Sequence, residues 1–257
     1  MNTLKHTVRI NGEIYTDAQL QRYEYERTLH TLHELKRLGA PIALSHSELN
    51  WLPPEQAKAL LLQTKLDLTP QGMENLLKDV LADSDRRWKT WATSEPIEQQ
   101  GVWMSYTEFE FEGVSIQAFQ QMMHNAELAW GLRIMPEHYL FEGAVSSGTQ
   151  RIMETFGCFG EPTDTVGRFS QVPDYVPFVR DEQRYPHALI GEVFLRSDDT
   201  RIFLGAVHEL APTENGFMQK STFWCPKNAP KAIADGHTLH FAIEVVNGIK
   251  DAMKSQR

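Results

Sequence analysis

The stretch HALIGEVFLRSDDTRIFLGAVHELAPTENGFMQKSTFW, residues 187–224, decides the fold. It reads as strands separated by turn-forming residues at 197–200 and 212–216. The predicted strands are His187–Arg196, Arg201–Leu210 and Phe217–Trp224. Because consecutive strands with short links pair with each other, the stretch predicts an antiparallel meander.

A long, mostly apolar helix is predicted after the meander, from about Ala229 to Lys254, with a bend at Asp235-Gly236. Before the meander, the pattern predicts a strand at 102–111, a helix capped by Ser115 and a strand at 151–156. A proline-rich, loop-like region lies between that last strand and the meander. This order indicates an α+β domain whose antiparallel sheet grips the terminal helix.

The first hundred residues are predicted to be mainly helical. Asn11-Gly12 is a type I′ hairpin signal, and a helix follows from about residue 18 to 38, ending at Gly39. Further helices are predicted to begin at Pro53-Pro54 and at Thr69-Pro70. We therefore predict a mainly helical N-terminal domain, residues 1–98, followed by the α+β domain, residues 99–257.

The composition argues against a nucleic-acid partner. The 257 residues carry a formal net charge of −9, with a pI near 5.6. Nucleic-acid binding relies on basic residues that neutralise phosphates, and this chain has no such excess.

The chain is predicted to be cytoplasmic and to have no membrane partner. Cys158 and Cys225 are far apart in the sequence and do not form a disulfide framework. The N-terminal segment MNTLKHTVRINGEIYTD lacks the apolar core of a signal peptide, and no apolar stretch has the length needed to cross a bilayer.

The sharpest local motif is HTLHFAIE, residues 237–244. On a helix, His240 and Glu244 are one turn apart and project to the same side, which is the spacing that two ligands of one metal ion require. Such pairs also occur on exposed helices as weak ion pairs. Here the neighbouring residues are apolar, so the helix is predicted to be buried and both side chains need partners.

Upstream candidates for the remaining ligands are His124, at the end of the predicted helix, and Glu154, in the predicted strand at 151–156. From the residues alone, a core residue with an ordinary hydrogen bond is the favoured explanation of each. His138, Glu142 and His237 are reserve ligands.

Over roughly residues 100–257, the sequence resembles the diacetylphloroglucinol hydrolase and phloretin hydrolase family. The resemblance rests on the helix ending in His124, the segment LRIMPEH at 132–138, Glu154 some thirty residues after His124, and His240-x-x-x-Glu244. It implies a helix-grip (START-like) fold and a zinc-dependent hydrolase that cleaves a carbon–carbon bond next to a carbonyl.

By this resemblance, the zinc ligands are His124, Glu154, His240 and Glu244. His187 lies near a position where the family has a histidine and is the predicted acid/base catalyst. The implied substrate is a small aromatic ketone of the acylphloroglucinol type, and the implied assembly is a homodimer. The residues that bind the substrate are not predicted.

Two other functions remain open from the sequence. A helix-grip cavity also suits a non-enzymatic module that binds a small aromatic or apolar ligand. The leucines at 29–38 form a stripe that suits either internal packing or an interaction surface on the N-terminal helices.

Overall fold

The predicted meander forms part of a nine-stranded sheet in a computed structural model, which describes residues 4–123, 128–158 and 160–255. The strands are β1 (Lys5–Ile10), β2 (Glu13–Tyr15), β3 (Val102–Glu112), β4 (His138–Glu142), β5 (Thr149–Glu154), β6 (Thr163–Phe169), β7 (His187–Leu195), β8 (Arg201–Thr213) and β9 (Gly216–Pro226). They lie in the order β2-β1-β3-β9-β8-β7-β6-β5-β4, and every neighbouring pair is antiparallel.

Helices from both the N-terminal and the C-terminal parts of the chain pack against this sheet. They are α1 (Asp17–Leu38), α2 (His46–Leu49), α3 (Pro54–Thr93), α4 (Ile97–Gln100), α5 (Ile116–Met123), α6 (Leu128–Ile134) and α7 (Lys231–Ser255). The C-terminal helix α7 contacts β3 and β9 as well as α1, α5 and α6. Within the described ranges, no helix combines the length and apolar character that crossing a lipid bilayer requires.

The predicted N-terminal hairpin is confirmed, but it belongs to the sheet. Asn11 and Gly12 both have positive φ, 52° and 82°, as a type I′ turn requires. Strand β1 then pairs with β3, with Val8 opposite Phe109. The mainly helical region therefore comprises α1 to α4, and the first fifteen residues are not separate from the sheet that follows residue 98.

Helix boundaries follow the local capping signals. Thr16 and Gln19 form a reciprocal capping box at the start of α1, and Gly39 ends that helix with a φ of 103°. The two helices predicted to begin at Pro53-Pro54 and Thr69-Pro70 are joined end to end in α3. Thr69 has non-helical angles at the junction, and its hydroxyl accepts a hydrogen bond from the N–H of Gly72 at 3.4 Å.

Two strands of the sheet were not predicted. Strand β4 follows Pro136, and its sequence HYLFE has no apolar–polar alternation because four of its five residues are buried. Strand β6 lies inside the region predicted as loop. The helix predicted from Ser115 to about residue 130 is seen as α5 and α6, and residues 124–127 between them lie outside the described residues.

The larger apolar core fills the space between α7 and the sheet, and a second cluster joins α1 and α3 to β4 and β5. In the second cluster, Leu32 and Leu35 of α1 meet Leu77 of α3, and these pack with Leu140 and Met153 from the sheet. Burying each such side chain contributes about 1.5–3 kcal/mol. The leucine stripe of α1 is therefore explained, at least in large part, by internal packing.

Helix α7 is continuous through Asp235-Gly236, and Gly236 allows close packing there. A Cβ atom at position 236 would lie 1.8 Å from the carbonyl oxygen of Gly157. The backbone at Gly157, which has a φ of 63°, therefore rests directly on the helix.

Replacing Gly236 with alanine is expected to destabilise the protein by about 2 kcal/mol or more, since backbone atoms must move to admit the methyl group. Gly72→Ala in α3 is the matched control, because its Cβ would have only ordinary contacts at 3.7–3.8 Å. In a helix interior, that change is neutral or stabilising by up to about 1 kcal/mol. Chemical denaturation of both variants tests the difference, and equal stabilities would contradict the close-packing role.

Candidate metal centre

Strands β4 and β5 bring the first two candidate ligands together. His138 and Glu154 are direct partners in the antiparallel register, and their side chains meet with Nε2 and Oε2 3.0 Å apart. Both residues are buried, with exposures of 1% and 6%. A buried carboxylate and imidazole in this arrangement satisfy each other's polar atoms.

Helix α7 adds His240 and Glu244 from the other side, as the one-turn spacing predicted. Nε2 of His240 lies 3.3 Å from Oε2 of Glu154 and 3.3 Å from Nε2 of His138. The carboxylate of Glu244 lies 4.0 Å from His138 and 3.9 Å from His240. His138, Glu154 and His240 thus form a close group, and the Glu244 carboxylate lies at its edge, near both imidazoles.

This donor set fits a zinc ion. Neutral imidazole nitrogen and carboxylate oxygen are among the ligands that Zn²⁺ prefers. Bonds of about 2.0–2.2 Å in a tetrahedron place neighbouring donor atoms roughly 3.3–3.6 Å apart. The separations that involve the two imidazoles, 3.0–4.0 Å, bracket that spacing, so side-chain adjustments, chiefly of Glu244, would complete the site.

The ring of His138 is oriented by the backbone of α6. Its Nδ1 lies 2.8 Å from the carbonyl oxygen of Gly131, to which Nδ1–H donates, so Nε2 is left free for the centre. Gly131 is required there, because a Cβ atom at this position would lie 2.4 Å from the side chain of Phe141.

The electrostatics of the centre favour positive charge between the carboxylates. Burial alone would raise the pKa of Glu154, but the imidazoles of His240 and His138 hold it well below its usual value. Burial would lower the pKa of His240, but the Glu154 carboxylate raises it well above the usual value. Burial raises the pKa of Glu244. A bound cation would take the place of the proton on His240.

The centre opens into a cavity between α7 and one face of strands β4 to β9. Residues that alternate along each strand line it, as in the series Gln150, Ile152 and Glu154. Its volume, about 120 Å³, far exceeds the roughly 10–15 Å³ that one water needs by the same measure. Six aromatic side chains line the cavity: Trp130, Phe141, Phe156, Phe169, Phe223 and Phe241.

Two further histidines line the cavity. Nδ1 of His237 accepts a hydrogen bond from the N–H of Gly157 at 3.1 Å, so the proton of the neutral ring is on Nε2. Its ring stacks on that of His240 with centroids 4.5 Å apart. Burial and the charge of His240 keep the pKa of His237 well below its usual value. His237 therefore serves as a neutral neighbour of the centre, and its reserve role as a ligand is not needed.

The other is His208, which the sequence analysis missed. Its Nδ1 lies 2.8 Å from the hydroxyl of Ser221, which accepts a hydrogen bond from the Gln219 amide at 2.9 Å. In the tautomer in which the hydroxyl donates to Nδ1, the ring carries its proton on Nε2. Burial lowers the pKa of His208 to about 4, so the ring is neutral. The available signal was its alternation with Leu204 and Ala206 on the inward face of β8.

The predicted site residues separate into three groups. Glu154, His240 and Glu244 come together, and the reserve ligand His138 is the fourth side chain at the centre. His124 lies outside the described residues. Glu142 is directed elsewhere, 3.6 Å from the guanidinium of Arg151.

The predicted acid/base catalyst, His187, lies in β7. It shares a face of β7 with the cavity-lining Leu189, but it is exposed at the beginning of the strand and does not line the cavity. The polar groups within reach of a ligand there are instead His208, His237 and Gln150.

Comparison with known proteins adds little to this description. No protein-family model matches the chain, and no curated protein is significantly similar to it. Among solved structures, protein NE0264 from Nitrosomonas europaea aligns with 63% of this chain and 100% of its own, at 14% identity and a TM-score of 0.40. A similarity this low supports no argument about fold or function.

Purified without chelator, the protein is expected to contain about one zinc per chain. His138→Ala and His240→Ala should each remove most of it, because each leaves an incomplete ligand set. Glu142→Gln and His187→Ala are matched controls that should keep the full content. Elemental analysis after gel filtration measures this, and full zinc in both ligand variants would refute the assignment.

Proposed function

We propose that this protein is a zinc-dependent hydrolase that cleaves a carbon–carbon bond next to a carbonyl in an acylated phenolic substrate. The observation that carries the proposal is the convergence of His138, Glu154, His240 and Glu244 at the edge of an aromatic cavity. The resemblance of residues 100–257 to acylphloroglucinol hydrolases supplies the reaction class.

When bound, the ion would lower the pKa of a water and polarise the substrate carbonyl. The chain's own part is to hold that ion with two neutral imidazoles and two carboxylates. The aromatic side chains around the centre exclude bulk water and give an aromatic ring apolar surfaces to pack against.

The histidines of the cavity would orient the substrate. His208 and His237 are both neutral. The backbone N–H of Gly157 fixes the His237 proton on Nε2, so His237 is suited to donate a hydrogen bond to a carbonyl or phenolic oxygen. His208 is suited to the same role in the tautomer whose Nδ1 accepts from Ser221. The cavity thus combines apolar walls with a few placed donors, as sites for small molecules commonly do.

The proposed reaction balances as a hydrolysis. The oxygen of water forms a bond to the carbonyl carbon, and the bond from that carbon to the ring breaks. The ring carbon takes up one proton, and the products are a carboxylic acid and the deacylated phenol. No oxidant or reductant is needed.

The position of α7 against the sheet supports a helix-grip (START-like) fold for residues 99–257, with the cavity between the two. This architecture equally suits the second candidate function, a non-enzymatic module that binds a small aromatic or apolar ligand. The support for this second candidate is the aromatic lining, which would bind such a ligand with or without a metal ion. A homodimer is part of the proposal through the family resemblance, and light scattering in solution would test it.

The test is to incubate the zinc-loaded protein with a series of acylphloroglucinols and quantify the carboxylic acid and phenol released. His240→Ala should lower turnover at least about 100-fold because the ion is lost. His208→Ala should lower turnover while keeping the zinc content, and the exposed His187→Ala serves as the control. A zinc-loaded protein that binds these compounds without releasing acid would favour the binding module.

A further inference from the structure

Nδ1 of His240, the ring nitrogen away from the centre, lacks an oxygen acceptor for its proton. Nε2 faces Glu154 and His138, so it is the nitrogen available to an ion. Nδ1 must then carry the ring proton, and metal-bound histidines normally donate that proton to a fixed acceptor. His138 does so to the Gly131 carbonyl. Nδ1 of His240 is buried and has no nitrogen or oxygen partner among the described residues; the Cys158 thiol lies within hydrogen-bonding reach of both His240 and Glu137.

The carboxylate of Glu137, one oxygen of which lacks a nitrogen or oxygen donor, lies near His240. Glu137 is fully buried, and its Oε1 is paired with the guanidinium of Arg27. Its Oε2 is also buried without a hydrogen-bond partner among the residues described. Ligand-type atoms of Glu137, Cys158 and His240 all lie within 4.8 Å of one another. A buried donor and a buried acceptor, neither paired with another nitrogen or oxygen atom, thus share one small region with the Cys158 thiol.

A separation of up to 4.8 Å between ligand-type atoms of Glu137 and His240 leaves room for an indirect contact. Two hydrogen bonds of about 2.8 Å that meet at a water molecule span roughly 4.6 Å, so one bridging water would connect the two groups. Cys158 is the weaker candidate acceptor, because a thiol sulfur accepts hydrogen bonds poorly. Burial also raises the pKa of Cys158 to about 11, so it stays an uncharged thiol.

A second metal ion between Glu137, Cys158 and His240 fits less well. The guanidinium of Arg27 is already bound to the Glu137 carboxylate and would repel a cation placed next to it. His240 would also have to lose both ring protons to bind two ions. The same guanidinium favours a carboxylate that stays ionised and accepts a hydrogen bond.

We propose that Glu137 is a positioning residue that accepts the Nδ1 proton of His240, directly or through one water, and that Arg27 of α1 holds its carboxylate in place. This inference rests on the proposed metal centre. It assigns the N-terminal helix a part in metal binding that the sequence did not indicate.

The experiment measures zinc affinity of the metal-free protein by competition with a chromophoric chelator. Glu137→Gln should weaken binding ten- to hundred-fold, the range found when a carboxylate behind a metal-bound histidine is removed. Arg27→Gln/Glu137→Gln removes the buried pair as a unit and should show the same loss, which covers the case in which the single variant folds poorly. Glu137→Asp, which keeps the charge, should recover part of the affinity.

Glu34→Gln is the matched control, because Glu34 is a buried carboxylate that accepts a hydrogen bond from Tyr139 instead. It should bind zinc as the unmodified protein does. In the Co²⁺-substituted protein, Glu137→Gln should shift the visible absorption bands, which a role in folding alone would not do.

Two outcomes would overturn the inference alone: unchanged zinc affinity in both Glu137→Gln variants, or a loss of affinity confined to Cys158→Ser. If the unmodified protein binds no zinc, the proposed function fails and this inference fails with it.

Discussion

The carboxylate of Glu154, buried between two imidazoles, is the interaction on which the rest of the site depends. An isolated buried carboxylate is strongly unfavourable, and here His138 and His240 each lie within about 3.3 Å of it. These groups come from β4, β5 and α7, so strand register and helix docking must both be correct. A slip of one residue between β4 and β5 would turn His138 or Glu154 to the opposite face of the sheet.

The N-terminal helices hold this arrangement in place. Lys65 of α3 is buried, and its ammonium donates to the carbonyl oxygens of Pro136 and His138 at 2.5 and 2.6 Å. Arg27 of α1 pairs with Glu137 between them. Burial lowers the pKa of Lys65 to about 7. Burying this amine therefore costs free energy, which an apolar side chain that only packs the core would not. Three consecutive residues that end in a metal-ligand candidate are thus fixed from outside the sheet.

The predictable parts of this protein are those with local signals. The hairpin turn, the caps of α1, the meander and the His240–Glu244 pair each depend on residues within a few positions of one another. His138 had no such local signal. It meets Glu154 only because β4 pairs with β5, and β4 lacks the apolar–polar alternation that predicts a strand. His208 could be predicted as a cavity residue only by knowing which face of β8 turns inward. For His187, alternation gave the correct face of β7, but the cavity does not extend to the beginning of that strand.

The charges around the cavity limit what it can bind. Among the described residues that line it, none is a lysine or arginine, and the acidic ones are Glu154 and Glu244. A divalent ion would be neutralised by these two carboxylates, and His208 and His237 are uncharged. A phosphate or carboxylate on the ligand would therefore be buried without a compensating cation, which is costly. An uncharged ligand, such as a ketone on a phenolic ring, has no such cost, and its ring matches the aromatic walls.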